Sequence, residues 1–268
     1  MKIGNREFDL EKKTYIMGIL NITPDSFSDG GKWNRMDHAL SHVEQMISDG
    51  VDIIDIGGES TRPGYTFLSD EEEISRVVPV IEKLKSEFDI PLSIDTYKSE
   101  VAKASINAGI DLINDIWGLK FDSQMAKVIG EVDLPCCLMH NRKKPNYTDY
   151  FNELCRDLQE TLDLAKEGGI KESNIILDPG IGFAKSYEEN LQLMNHLEKL
   201  HAFNLPILLG TSRKSMIGIT LDLPVAERIE GTIATTVIGV MKGCSIIRVH
   251  DIKENKRAVL MTEAILNS

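Results

Sequence analysis

The stretch "MDHALSHVEQMISDGVDIIDIGG" (Met36–Gly58) contains one predicted helix followed by one predicted strand. In its first half, apolar residues recur at spacings of four, three and four, which is typical of an amphipathic helix: Met36, Leu40, Val43 and Ile47. Its second half, "VDIIDIGG" (Val51–Gly58), is short, apolar and rich in Ile, as in parallel strands that are covered on both faces. The stretch therefore predicts a chain in which helices and parallel strands alternate.

The same alternation extends over the rest of the chain. Seven further runs are short, largely apolar and strand-like: "YIMGILN" (Tyr15–Asn21), "PLSIDT" (Pro91–Thr96), "DLINDI" (Asp111–Ile116), "PCCLMH" (Pro135–His140), "NIILDPG" (Asn174–Gly180), "PILLGTS" (Pro206–Ser212) and "SIIRVHD" (Ser245–Asp251). Two Ser–Glu pairs with a spacing of three predict capping boxes at helix starts: Ser69 with Glu72, and Ser186 with Glu189. A third helix is predicted to stop at Gly168–Gly169.

Eight strand–helix pairs in 268 residues predict a (β/α)8 TIM barrel, formed by a single domain over residues 1–268. The first dozen residues are expected to form a short lead-in hairpin across the N-terminal end of the barrel. The alternative fold is an open doubly wound sheet, which usually has fewer strands.

Charge and composition limit the partners and the location. The formal net charge of −12 argues against nucleic acid as the main partner, because a phosphate backbone would be repelled. The first apolar run is about six residues long, far short of a secretory signal or a membrane span, so no membrane partner is expected. The four cysteines include an adjacent pair and no C-x-x-C spacing, which favours buried thiols in a reducing cytoplasm over disulfides or a zinc site.

Polar residues follow nearly every predicted strand, at its C-terminal end. In a TIM barrel these ends surround one mouth, where catalytic groups stand. Such a concentration at one end predicts a functional site there. It consists of Asn21, Glu59–Arg62, Asp95, Asn114–Asp115, His140, Asp178, Ser212–Lys214, Arg248 and His250.

The chemistry of these residues divides by position. Acceptors end the middle strands, and a set of carboxylates and amides suits a flat heterocycle with several N–H donors: Asp95, Asn114 and Asp178. Cationic groups gather after the last two strands, where TIM barrels often hold phosphate: Lys214, Arg248 and His250. The sequence therefore predicts a ring pocket beside an anion pocket.

Several motifs, in order and over the whole chain, resemble those of the dihydropteroate synthase family of bacterial folate synthesis. They are "NITPDSFSDGG" (Asn21–Gly31), "DIGGESTRPG" (Asp55–Gly64), "SIDT", "IND", "DPGIGF" (Asp178–Phe183), "TSRKS" (Thr211–Ser215) and "RVHD" (Arg248–Asp251). The resemblance implies a transferase that joins 6-hydroxymethyl-7,8-dihydropterin diphosphate to p-aminobenzoate and releases pyrophosphate. It also implies that the enzyme uses a magnesium ion, that it forms a homodimer through the helices near the C-terminal end of the chain, such as the one predicted at Gly231–Val240, and that it is a target of sulfonamides.

The resemblance also implies roles for individual residues. Asp95, Asn114 and Asp178 would hold the pterin ring, with Lys214 over its carbonyl edge. Asn21 would meet a magnesium ion bound to the diphosphate. The phosphates would be held by Thr61, Arg248 and His250. The aminobenzoate pocket would be lined by Arg62, Pro63, Phe183 and Ser215.

For the reaction itself we expect a largely dissociative substitution, in which diphosphate departs ahead of attack by the aryl amine. Magnesium, Arg248 and His250 would neutralise the leaving charge, and the carboxylate of Asp95 would favour a cationic pterin. The first loop would close over the mouth, with Gly30–Gly31 as a hinge and Asp25, Phe27 and Asp29 as its working groups.

Other interpretations of the same residues remain open from the sequence. Asp55, in the middle of a strand, favours a structural hydrogen-bonding role, while Asp115 and His140 are ambiguous. A pterin-dependent methyltransferase would share the barrel and the ring pocket, but it would not need the acidic first loop or the cationic end. A non-catalytic pterin-binding protein would keep only the ring pocket.

Overall fold

The chain begins with a two-stranded antiparallel hairpin, β1 (Lys2–Ile3) and β2 (Arg6–Glu7), in which Lys2 pairs with Glu7. The structure, a computed structural model, describes residues 1–22, 32–59 and 67–268, with the side chains of the first helix described from residue 36. Three residues of this N-terminal segment, Ile3, Phe8 and Leu10, are buried against the interior of the sheet that follows. The predicted lead-in hairpin is confirmed.

Eight parallel strands follow and form a barrel: β3 (Tyr15–Asn21), β4 (Ile53–Gly57), β5 (Leu92–Asp95), β6 (Leu112–Asp115), β7 (Cys136–Met139), β8 (Ile175–Asp178), β9 (Leu208–Leu209) and β10 (Ile246–Val249). They are hydrogen-bonded in the order β8-β7-β6-β5-β4-β3-β10-β9. A parallel bridge between Leu177 of β8 and Ile207, directly before β9, closes the circle. The predicted TIM barrel is confirmed.

Helices cover the outside of the barrel: α1 (Lys32–Ser48), α2 (Asp70–Glu87), α3 (Ser99–Asn107), α4 (Met125–Val132), α5 (Tyr150–Glu167), α6 (Tyr187–Asn195), α7 (Ser215–Leu221), α8 (Ile229–Met241) and α9 (Ile252–Leu266). Among them, α7 was not predicted. It lies between β9 and α8, so this crossover carries two helices. Its residues Ile219 and Leu221 are exposed, and for this reason no apolar stripe marked the helix in the sequence.

Two of the three predicted helix-end signals are confirmed in full, and the capping box at Ser69 is only half formed. At the start of α6, Glu189 N–H donates to Ser186 Oγ (3.1 Å) and Ser186 N–H donates to the Glu189 carboxylate (2.6 Å), which is a complete capping box. At the start of α2, Glu72 N–H donates to Ser69 Oγ (3.2 Å), but the Glu72 carboxylate turns to Arg76 (2.5 Å). The cap at Ser69 is therefore one-sided. Helix α5 ends at Glu167, directly before Gly168–Gly169 as predicted.

Inside the barrel, the inward side chains form two layers, because residues two apart on a strand point the same way. The layer nearer the N-terminal end is apolar and packs on the N-terminal segment: Met17, Ile53, Leu112, Cys137, Ile176, Leu208 and Ile246. Two residues further along four of these strands, the inward residue is polar instead: Asp55, Asn114, Asp178 and Arg248. The fold thus separates a sealed end from a polar mouth.

Candidate active site

Arg248 of β10 connects the acidic groups of the mouth. Its Nε donates to Asp55 Oδ2 (2.6 Å) and its Nη2 donates to Asp95 Oδ2 (2.7 Å). Asn114 Nδ2 also donates to Asp55 Oδ2 (3.1 Å). Asp55 therefore aligns Arg248 and Asn114. This confirms the prediction of a structural hydrogen-bonding role for Asp55 and also places Asp55 in the site.

Three buried acceptors of this layer have no hydrogen-bond partner among the described residues: Oδ1 of Asp55, Asp95 and Asn114. Buried polar atoms in folded proteins are almost always paired, because an unpaired one costs about 1–3 kcal/mol. Asp178, on the neighbouring part of the rim, accepts from Gly180 N–H at 2.7 Å through Oδ1. The group therefore presents acceptors to a ligand that carries N–H donors.

Burial sets the charge state of these carboxylates. It raises the pKa of Asp95 to about 7, with Asp55 and Glu73 adding to the effect and Arg248 and Lys214 opposing it. Burial also raises the pKa of Asp178, against the Gly180 N–H and the charge of Lys214. A carboxylate that is costly to ionise is stabilised strongly by a cationic or N–H-rich ligand, so these two positions favour such a ligand.

Lys214 brings a positive charge to the edge of this layer. Its Nζ lies 4.1 Å from the centroid of the Phe183 ring, which is a cation–π contact. Burial lowers the pKa of Lys214 to about 8, and Arg248 adds to this while Asp178 and Asp95 oppose it. Ser215, the next residue, begins α7 and is exposed. The structure therefore brings Lys214 and Phe183 together beside Asp178.

His250 follows β10 and is held by Ser212. The His250 backbone N–H donates to Ser212 Oγ (3.2 Å), and the same hydroxyl lies 2.9 Å from His250 Nδ1. The Ser212 hydroxyl therefore holds the His250 ring through Nδ1 and fixes its orientation beside the end of β10. Nearby, Arg213, in the left-handed region at φ +58°, forms a two-point ion pair with Asp251 that ties the two loops together.

Asn21 ends β3 and is half-buried beside Gly57, where an added Cβ would lie 3.4 Å from Asn21 Oδ1. Within the part of the chain that the structure describes, no group of three or more His, Cys, Asp or Glu side chains could hold a metal ion. Mg²⁺ often binds through one or two protein ligands together with waters and substrate phosphates. The amide oxygen of Asn21 therefore fits an ion that arrives with a phosphorylated ligand.

A buried ionic cluster connects the described residues on either side of positions 60–66. Lys98 Nζ lies 2.7 Å from Glu73 Oε2 and 3.0 Å from Glu59 Oε2, and it donates to Leu68 O (2.9 Å). Glu59 also accepts from Leu68 N–H (2.8 Å) and from the hydroxyl of Tyr97 (2.8 Å). No sequence pattern pointed to Lys98. Seven predicted site residues and the predicted hinge Gly30–Gly31 lie outside the described residues; the seven are Asp25, Phe27, Asp29, Ser60, Thr61, Arg62 and Pro63.

The two ambiguous residues have structural partners. Asp115 accepts from the backbone N–H groups of Trp117 (2.8 Å) and Leu119 (2.7 Å), so it caps the loop after β6. His140 is only 2% exposed, and its Nε2 lies 3.0 Å from Asp157 Oδ2 of α5. His140 therefore lies behind the mouth and does not line it.

Comparisons with known proteins agree with this geometry. The sequence profile of a family described as pterin binding enzyme matches residues 17–250. A dihydropteroate synthase of Clostridium beijerinckii is 61% identical over 267 residues, covering 99% of both chains. A dihydropteroate synthase structure from Clostridium difficile, obtained in the presence of pteroic acid, superposes with a TM-score of 0.95 at 50% identity, covering 98% of this chain and 100% of that one. A Xanthomonas albilineans dihydropteroate synthase with 4-aminobenzoic acid has a TM-score of 0.91 at 38% identity, covering 96% and 94%.

Proposed function

The chain belongs to the pterin-binding enzymes, and within them to the dihydropteroate synthases, which are transferases; from this premise we propose how its mouth performs the reaction. The substrates are 6-hydroxymethyl-7,8-dihydropterin diphosphate and p-aminobenzoate, and the products are 7,8-dihydropteroate and pyrophosphate. One observation carries the assignment of the ring pocket: around the Arg248 guanidinium, three buried acceptors have no partner in the part of the chain that the structure describes, and Lys214 stands at their edge.

The acceptor layer holds the pterin ring. A dihydropterin carries N–H donors at its 2-amino group, N3 and N8, and these match the unpaired oxygens of Asp55, Asp95 and Asn114 and the carboxylate of Asp178. Binding then satisfies acceptors that have no partner among the described residues, which gives both affinity and orientation. The raised pKa of Asp95 makes its carboxylate the group that gains most from an N–H-rich or positively charged ring.

The cationic edge holds the diphosphate. His250, oriented by Ser212, and Arg248, aligned by Asp55 and Asp95, lie on the β10 side of the mouth. These groups stabilise negative charge as the bond between the methylene carbon and the diphosphate oxygen breaks. When bound, magnesium supplies further neutralisation of the diphosphate oxygens, and Asn21 is the residue that would hold it.

The bond to the leaving diphosphate breaks ahead of attack, because the electron-rich dihydropterin spreads the positive charge that develops at its methylene carbon. The carboxylate of Asp95, which accepts from the ring N–H groups, stabilises that charge. The amine of aminobenzoate then attacks the same carbon and loses a proton to water. No strong base is required at this step. The roles of Asp25 and Asp29 toward the magnesium or the amine, and of Phe27 in excluding water, remain predictions.

Aminobenzoate binds on the side of Phe183 and Ser215. The Phe183 ring lies over Lys214, so a second ring placed there would contact both an aromatic face and a positive charge. The roles of Thr61, Arg62 and Pro63 in this subsite and at the phosphates also remain predictions. We expect sulfonamides, which resemble aminobenzoate in shape and charge, to compete for the same subsite.

The proposal is tested by measuring pyrophosphate release with both substrates and magnesium present. We expect release only when both substrates are present, and at least a thousandfold loss for the double variant Asp95→Asn, Asp178→Asn. Binding of the pterin without pyrophosphate release would identify a non-catalytic binding protein, and methyl transfer to or from the pterin would identify a methyltransferase. A large carbon isotope effect at the methylene, with strong bonding to the amine in the transition state, would contradict the dissociative path.

The late helices carry an apolar surface that supports a homodimer. Helices α8 and α9 pack side by side, with a hydrogen bond from Thr236 to Asn255 (2.7 Å). Large apolar side chains are exposed on α7, α8, α9 and the turn after α7: Ile219, Leu221, Val225, Ile238, Met241, Leu260, Met261, Ile265 and Leu266. Soluble monomers rarely expose so many apolar residues in one region. A second copy of the chain is the occupant that we propose.

Light scattering after size-exclusion chromatography tests the dimer. We expect the mass of a dimer for the wild type and of a monomer for Met261→Lys, because the new charge would be buried at the interface. Leu191→Lys, which changes an exposed apolar residue of α6, is the control and should remain dimeric. A monomeric wild type would refute the proposal.

Location in the cytoplasm is proposed on chemical grounds. All four cysteines lie within the described ranges and have free thiols. Free thiols persist in a reducing compartment. Among the helices of the described residues, none is both long and apolar enough to cross a membrane.

The organisation of residues 1–268 as a single domain remains a prediction.

A further inference from the structure

Lys185 lies in the loop between β8 and α6, and its ammonium group has three partners. It donates to Gly180 O (2.9 Å), to Phe183 O (3.0 Å) and to His140 Nδ1 (2.9 Å). An ammonium group has three N–H donors, so these contacts use all of them. The three acceptors are uncharged, and a lysine held in this way is not explained as a salt bridge.

His140 is itself fixed from behind. Its Nε2 lies 3.0 Å from Asp157 Oδ2, and Asp157 is also bound by the Arg142 guanidinium (2.5 and 3.1 Å). Burial lowers the pKa of His140 to about 4, so the ring is neutral near pH 7. Its single proton is on Nε2, facing Asp157, and the Nδ1 lone pair accepts from Lys185. Lys185 is thereby anchored to the wall formed by β7 and α5.

The two carbonyls that Lys185 binds are the two ends of one turn. Phe183 N–H donates to Gly180 O (3.1 Å) and closes the turn, and Gly180 N–H orients Asp178 (2.7 Å). Gly180 has a φ of +72°, and a Cβ at this position would lie only 2.0 Å from His140 O. The turn is therefore tightly placed. It links Asp178 at one end to the Phe183 ring, and so to Lys214, at the other.

We propose that Lys185 is a positioning residue for the aminobenzoate subsite, because it fixes the Gly180–Phe183 turn and with it the Phe183 ring against Lys214. The inference rests on the proposed function, in which Phe183 lines that subsite. Removing the ammonium leaves two buried carbonyls without this donor, and the end of the turn that carries Phe183 moves. Asp178 moves less, because β8 itself holds its backbone.

Some of the groups around Lys185 lower the pKa of its ammonium group, and others raise it. Burial lowers its pKa to about 7, and Lys214 adds to this, while Asp178, Glu189 and Asp157 favour the charged form. The geometry of the three contacts requires the ammonium, since a neutral amine would turn a lone pair toward one of the acceptors.

Steady-state kinetics of Lys185→Met test the proposal. We expect the KM for aminobenzoate to rise about tenfold, with the affinity for the pterin diphosphate and kcat at saturating aminobenzoate each within about twofold of wild type. Lys185→Arg, which keeps donors for the carbonyls, should recover at least half of the loss on a logarithmic scale. The control is Lys120→Met, because Lys120 donates to Asp157 O (2.8 Å) of the same α5 wall without touching the turn.

An unchanged KM for aminobenzoate in folded Lys185→Met would overturn the inference, and so would equal effects of Lys185→Met and Lys120→Met. If Lys185→Met does not fold, Lys185→Gln replaces it and is judged by the same criteria. A wild type that releases no pyrophosphate would instead refute the proposed function. The two failures are thus distinguishable.

Discussion

The inward side chains are apolar at the N-terminal end of the barrel and largely polar at its mouth. At the N-terminal end, Ile3, Phe8 and Leu10 pack on a closed apolar layer. At the mouth, three buried acceptors have no partner within the described ranges, and a guanidinium joins two carboxylates. On β4, for example, Ile53 belongs to the apolar layer and Asp55, two residues later, belongs to the polar layer. On these strands, residues that stabilise the fold therefore lie next to residues that face the ligand. Single substitutions should affect one property without the other.

The largest effect is expected where polar groups of the mouth end are paired. Lys98→Met leaves Glu59 and Glu73 buried without their cation, and we expect the free energy of unfolding to fall by about 4 kcal/mol. Lys83→Met, which removes an exposed pair with Glu87, is the control and should cost less than about 0.5 kcal/mol. Denaturant unfolding measures both. Equal losses would show that the buried cluster is not what stabilises this end.

Phe8→Ala tests the sealed end. Phe8 is buried and contacts the Tyr15 ring edge-on, with centroids 4.7 Å apart. Its truncation should lower the free energy of unfolding by about 3 kcal/mol while kcat/KM stays within about twofold, because the cavity opens far from the mouth. Val132→Ala, at an exposed position, should change neither quantity by much. A large loss of kcat/KM in folded Phe8→Ala would mean that the two ends are not independent.

Asp95→Asn tests the mouth, where we expect ligand affinity to fall and stability to stay unchanged. The amide cannot supply the charge that strengthens hydrogen bonds to the pterin, so affinity should fall by about 2 kcal/mol, or about thirtyfold. Stability should not fall, because burial already opposes ionisation of Asp95. Calorimetry with the pterin and thermal unfolding measure the two quantities. Asp115→Asn is the matched control, since Asp115 only caps backbone N–H groups, and there stability should fall and pterin affinity should not.

The pH dependence of pterin affinity gives a smaller effect of defined sign. Because the pKa of Asp95 is raised to about 7, its carboxylate is ionised above that pH and protonated below it. Affinity should therefore fall about tenfold from pH 8 to pH 6, and Asp95→Asn should flatten this part of the profile. A rise in affinity over the same interval would contradict the assignment of Asp95 to the ring.

The sequence predicted the barrel because strand and helix periods alternate without interruption, and it predicted the ring acceptors because they end strands. The place of Asp55 among the ligand-facing acceptors and the roles of Lys98 and Lys185 could not be predicted, because each depends on groups that only the folded chain brings together. The seventh strand was predicted as Pro206–Ser212 but spans only Leu208–Leu209, because few of its residues pair with β10. A continuous apolar run does not show where a ladder of hydrogen bonds stops.

The central claim is that the acceptors and the cations of one rim hold two halves of a single molecule. Calorimetry of His250→Ala with 6-hydroxymethyl-7,8-dihydropterin and with its diphosphate, both with magnesium present, tests it most directly. The claim predicts that the variant binds the diphosphate about tenfold more weakly than wild type does and binds the diphosphate-free pterin equally well. Equal weakening of both ligands, or of neither, would contradict it.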